Sequence, residues 1–144
     1  MANKTPEEKI FLNHSGKFAV ISELLKRCID ARITIGNLDQ INVQVFYKDG
    51  TVKTVEVKTS DTNRIVTRFW QKYFNKEKRH PDYWVLVHVD KNKAFHYYVY
   101  KHDDLGKLQN EVNGHLPDGN GCDNIDIKHL SDNENDWDLI IQGK

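Results

Sequence analysis

Glu56 and Lys58 are the residues of this chain whose types and spacing best suit chemistry. They stand in the run Val55-Glu56-Val57-Lys58-Thr59. Along a β-strand successive side chains alternate between faces, so Val55 and Val57 share one face and the carboxylate and ammonium share the other. With the valines in a core, the charged pair stands side by side on the opposite surface. A carboxylate can hold a hard divalent cation through oxygen, and the cation polarises a phosphate and acidifies its bound water. A neighbouring ammonium orients that water or offsets charge on the phosphoryl oxygens. The same Glu-x-Lys spacing is also common on half-exposed strands, where it is only a solvated face.

Positioning such a pair requires a sheet, and hydrophobic periodicity supplies one. Residues 1–14 are polar, with Pro6 in the first turn of a short helix. Phe18, Ile21, Leu24, Leu25 and Cys28 recur at helical spacing and predict a helix over 16–30. Arg32–Ile35 reads as a short strand closed by Gly36-Asn37. Strands near 40–47 and 52–59 form a hairpin about Lys48-Asp49-Gly50. A second helix is expected over 62–76, capped by Asp61 or Thr62 and burying Ile65, Phe69 and Tyr73. After the break at His80-Pro81-Asp82 come strands Tyr83–Val89 and Ala94–Tyr100, with Phe95, Tyr97, Tyr98 and Tyr100 packing on both sheet faces. A third helix from Asp103 or Asp104 ends near Val112, and an irregular acidic tail, 114–144, packs Trp137 onto the body. The order implies the α/β class, a mixed central sheet flanked by helices, in a single domain 1–144.

Composition bounds the partners. The chain has 144 residues, 38% hydrophobic and 29% charged, which fits a globular protein with a continuous core. Its formal net charge is zero, so no global attraction to nucleic acid or membrane follows. Basic residues nevertheless outnumber acidic ones from Lys53 to Arg79, and the reverse holds from Asp103 to Asp138. No apolar run approaches the roughly 20 residues that span a bilayer, and MANKTPEEKI lacks the apolar segment of a secretory signal. The expected location is the cytoplasm, with Cys28 and Cys122 reduced. The seven histidines show no zinc-ligand spacing, and Gly119-Asn120-Gly121 lacks the flanking strand and helix of a phosphate loop.

On the expected second helix, Arg64, Arg68, Lys72 and Lys76 recur every four residues and form one basic stripe. Such a stripe can follow a phosphate backbone. It can equally be a solvated helix face.

In these residues and their order the chain resembles the PD-(D/E)xK nuclease superfamily, and within it a group of small bacterial nuclease-like domains. Gly16-Lys17-Phe18-Ala19-Val20 with Ser22-Glu23-Leu24-Leu25 is similar to the family's first helix. Gly36-Asn37 followed by Ile41-Asn42-Val43 is similar to the stretch that ends in its metal-binding aspartate. Val55-Glu56-Val57-Lys58-Thr59-Ser60 is similar to the E-x-K half of the motif, and Trp84–Val89 and Phe95–Tyr100 to the later strands. The resemblance covers about residues 15–105. It implies a restriction-endonuclease-like fold and an endonuclease-like activity, the hydrolysis of DNA phosphodiester bonds by water activated on Mg²⁺ or Mn²⁺. Glu56 and Lys58 would be catalytic, Glu23 an outer helper, and Glu56 and Asn42 the metal ligands. Asn42 departs from the pattern, because an amide stands where the family has a carboxylate. Losing that charge predicts weak metal binding or none, and slow hydrolysis or none. Asp39 is a second candidate for the missing carboxylate, and Asn42 is either natural or an introduced silencing of the site. The alternative is a catalytically inactive nuclease-fold module that binds nucleic acid or a partner protein. A homodimer is a further possibility.

Overall fold

The computed structural model describes residues 4–35, 41–73, 79–114 and 123–144. The first helix, α1, spans Pro6–Lys26, one continuous helix where a short one followed by a second over 16–30 was expected. Its start is chemically specified. The Thr5 hydroxyl accepts from the Glu8 amide, the Glu8 carboxylate accepts from the Thr5 amide, and Pro6 occupies the first turn. Glu7 and Glu8 add negative charge at the positive end of the helix. The helix stops at Arg27, and Cys28 turns the chain with φ 62°, so Asp30 begins a strand rather than ending a helix. Cys28 is an exposed free thiol.

The remaining elements are β1 (Asp30–Ile35), β2 (Ile41–Phe46), β3 (Val52–Ser60), β4 (Arg64–Val66), α2 (Phe69–Tyr73), β5 (Tyr83–Val89), β6 (Phe95–Lys101), α3 (His102–Asn113), β7 (Asn124–Asp126) and α4 (Asp138–Ile141). Five strands make a mixed sheet in the order β1-β2-β3-β5-β6. The β3–β5 pair is parallel and the others antiparallel. The expected class, a mixed sheet flanked by helices, is therefore observed.

Register sorts the two faces. Val43 pairs with Val55, Val57 with Val85, and Val85 with Val99, giving a row of valines beneath Val20, Ile21 and Leu24 of α1. Gly16 lets α1 approach closely, since a Cβ there would lie 1.8 Å from Thr59 Oγ1. On the other face, Trp84 and Leu86 of β5 lie beside Tyr98 and Tyr100 of β6, under Ile65, Phe69, Leu105, Ile125 and Leu130. The strand β5 is thus buried on both faces, as the central strands of covered sheets are. The β6 aromatics divide as expected, Phe95 and Tyr97 toward α1, Tyr98 and Tyr100 away from it.

Two further expectations fail here. Residues 64–66 are not helical. They form β4, which pairs antiparallel with β7 (Arg64↔Asp126, Ile65↔Ile125, Val66↔Asn124). A pairing partner sixty residues downstream overrides the local periodicity, and only Phe69–Tyr73 of the expected helix is helical among the described residues. Neither expected cap acts there, because Asp61 is salt-bridged to Lys4 and the Thr62 hydroxyl bonds to Arg64. Asp123 holds the start of α2 instead, accepting from the amides of Trp70 (3.2 Å) and Gln71 (2.7 Å). Its backbone carbonyl accepts from the amides of Thr67 and Arg68.

The second failure is the tail. It was expected to be irregular, yet it contributes β7, two single 3₁₀ turns (Ile127–His129 and Ser131–Asn133) and α4. Ile125, Leu130 and Ile140 are fully buried, and Trp137 packs into the valine face as expected. Among the described residues no helix is long and apolar enough to cross a membrane.

Candidate functional site

Glu56 and Lys58 leave β3 on the face opposite Val55 and Val57, each about one-fifth exposed, with Lys58 Nζ 3.5 Å from Glu56 Oε1. The expected placement of the two side chains on one strand face is observed. A second ammonium, that of Lys72 on α2, lies 3.8 Å from the same carboxylate oxygen. Burial depresses the Lys58 pKa, Glu56 opposes that shift, and Lys72 and Arg68 add to it. Tyr73 is pushed up to about 12, chiefly by burial and then by the Glu56 charge.

The other expected members are placed differently. Asn42 lies on β2, paired through its backbone with Thr34 and adjacent to Val43, which faces Val55. Its side chain, Asp39 and Lys76 lie outside the described residues. Glu23 does not join the pair. It is held by Lys26 (2.5 Å) and Arg27 (3.6 Å) and faces Tyr97 on the α1 side, with the sheet between it and Glu56. The helix that carries it covers the valine face, so the role of outer helper is withdrawn.

Among the described residues, the donors for a cation are therefore one carboxylate between two ammonium groups. That set does not fit a hard divalent cation, which favours several anionic oxygens and would have to displace both lysines. No cluster of three or more His, Cys, Asp or Glu side chains suited to a metal occurs among the described residues.

The basic residues come together more fully than a helical stripe required. Arg64 lies on β4, Arg68 in the link before α2 with φ 55°, and Lys72 on α2, so they do not form one helix face. All three nevertheless line one groove of about 450 Å³. Lys58, Thr59 and Ser60 of β3 form its floor, Thr62 and Val66 its rim, and Lys9, Leu12 and Asn13 of α1 its far wall. No carboxylate lines it among the described residues. Glu56 opens instead on a smaller hollow of about 290 Å³ with Thr34, Thr54, Tyr73 and Arg79. Lys9, Asn13 and the three hydroxyls were missed by sequence reasoning. The signal that could have exposed Lys9 was the Thr5-Pro6-Glu7-Glu8 cap, which begins α1 early enough to carry that lysine past β3.

Comparison with known proteins adds no assignment: no family model, no curated protein and no solved structure matches this chain.

Proposed function

We propose that this chain binds DNA through its phosphate backbone, as a nuclease-like module whose hydrolytic centre is silent or nearly so. The observation that carries this reading is the groove itself. Lys9, Lys58, Arg64, Arg68 and Lys72 reach it from five separate segments, with hydroxyl donors at Thr59, Ser60 and Thr62 and no acidic lining among the described residues. A concave surface with five cations, of which Glu56 partly offsets Lys58 and Lys72, attracts an anionic polymer and positions it without reading sequence. The parallel β3–β5 core, with Glu56-x-Lys58 at its margin, supports the restriction-endonuclease-like fold as part of the same proposal.

A second reading, phosphodiester hydrolysis, is favoured by one feature. Glu56 and Lys58 are 3.5 Å apart beside the groove, and the lysine holds its proton less tightly than usual. In that reading Lys58 neutralises charge on a bound phosphate and Glu56 accepts a proton from water.

One experiment separates the two. A labelled duplex is titrated by fluorescence anisotropy with EDTA or Mg²⁺, and a supercoiled plasmid is incubated in parallel. Binding that is indifferent to EDTA, without nicking, supports the module. Nicking that Lys58→Ala abolishes, with Mg²⁺ or with EDTA, supports the hydrolase. Absence of binding at low salt overturns both.

A further inference from the structure

Three of the exposed large apolar residues stand in one line on α1: Phe11 is 66% exposed, Phe18 52% and Leu25 52%. Their seven-residue spacing keeps them on one side of the helix, drifting by about 20° per step. At a rise of 1.5 Å per residue the line is about 21 Å long. It runs opposite Gly16, Val20 and Leu24, which are buried against the sheet, with buried Ile21 at its margin. Ser15 and Ser22, both exposed and small, flank Phe18 and leave room on either side of its ring. An exposed apolar line of this length, with only small serines beside its central ring, is suited to serve as a contact surface.

The charges along α1 identify what covers the ridge. Its N-terminal end carries Glu7 and Glu8, and Lys26 stands at the other end with its side chain 65% exposed. The ridge is therefore evenly spaced about Phe18 and opposite in charge at its two ends. We propose that α1 packs against α1 of a second copy of this chain, antiparallel, about a two-fold axis at Phe18. Phe11 of each copy then meets Leu25 of the other, and Phe18 meets Phe18. The acidic end of each helix lies beside the Lys26 of its partner. A parallel arrangement would instead set Glu7 and Glu8 against their own copies. The antiparallel contact is self-complementary, as closed two-fold interfaces are. Lys26 is free to turn toward a partner, because Glu23, its present acceptor, also has Arg27 at 3.6 Å. Lys9 and Asn13, which line the basic groove, lie on the far side of α1, so the groove stays open in the pair. One helix face buries less than a standard interface, so weak pairing is expected.

The test is sedimentation equilibrium of the intact chain from about 1 µM to about 1 mM. The expected result is a rise from 16.9 kDa toward twice that mass. Phe18→Asp should remain at 16.9 kDa throughout, with its unfolding midpoint essentially unchanged because Phe18 is half-exposed. Direction is read by cross-linking in a Cys28→Ser, Cys122→Ser background. Chains carrying both Ser15→Cys and Ser22→Cys should form disulfide dimers, and chains carrying Ser15→Cys alone should not. A wild-type chain that stays monomeric near 1 mM overturns the proposal. So does a Phe18→Asp chain that still dimerises, or Ser15→Cys alone cross-linking as well as the double variant.

Discussion

The two faces of the central sheet are built by different means. The α1 face is a row of valines from four strands, covered by α1 and by Trp137 and Ile140 at α4. The other face combines an aromatic cluster with buried polar groups. Thr67 and Gln109, both fully buried, bond to each other at 2.7 Å and to Asp123. Trp84 Nε1 donates to His102 Nδ1 at 3.0 Å, and His102 stacks between Phe69 and His80. Aliphatic packing is forgiving and local in its sequence signal, whereas a buried polar network fails as a unit when one member is lost. The candidate site opens onto the second face, and two of its cations, Arg68 and Lys72, depend on that network. Asp123 fixes the start of α2, which carries Lys72, and the link that carries Arg68.

Asp123→Ala should have the largest effect. It strands the amides of Trp70 and Gln71 and the Gln109 side chain, and a loss of about 3 kcal/mol is expected. Urea unfolding measures it, and a cost below about 1 kcal/mol would erase the distinction between the faces. Val57→Ala on the valine face leaves a small cavity and should cost about 1–2 kcal/mol without reducing DNA binding, because Val57 points away from the groove.

His102 gives the comparison a pH dependence. Burial, and then the neighbouring His80, lower its pKa from 6.5 to about 4, so the fold holds the neutral ring. The unfolded chain binds the proton more readily. The stability this group contributes is therefore complete above about pH 6.5 and is lost as pH falls toward 4, by roughly 1–3 kcal/mol. The lowered carboxylates Asp30, Asp49, Asp90 and Asp126 act below their ordinary value of 3.8, a separate window. Thermal melts between pH 7 and pH 4.5 should fall for the wild type and flatten for His102→Gln. Parallel curves would place the pH sensitivity elsewhere.

The smallest expected effect concerns Asn42. Asn42→Asp puts a carboxylate on β2, next to the strand that bears Glu56, and should raise Mg²⁺ affinity measured by calorimetry, with little change in stability. No gain in Mg²⁺ binding would remove the metal chemistry from this position.

Legibility in the sequence follows the same division. Alternation in Val43–Val45 and Val55–Val57 exposed the valine face, and with it the Glu56–Lys58 pair, because period-two signals are local. The 64–73 segment misled because Ile65, Phe69 and Tyr73 have helical spacing, while Ile65-Val66-Thr67 also alternates in and out. Only β7, reached after residues 115–122, decides between them. Asp123 and the walls of the groove were illegible for that reason, being assembled from positions far apart in the chain.

The central claim is that the groove lysines and arginines meet phosphates, and the salt dependence of duplex binding tests it most directly. Log affinity is plotted against log salt for the wild type and for Lys9→Gln, Arg64→Gln, Arg68→Gln and Lys72→Gln combined. Each lost phosphate contact should flatten the slope by about 0.9, so a change of about 3–4 is predicted, with affinity falling at every salt concentration. An unchanged slope and affinity would contradict the account and return these residues to the solvated surface.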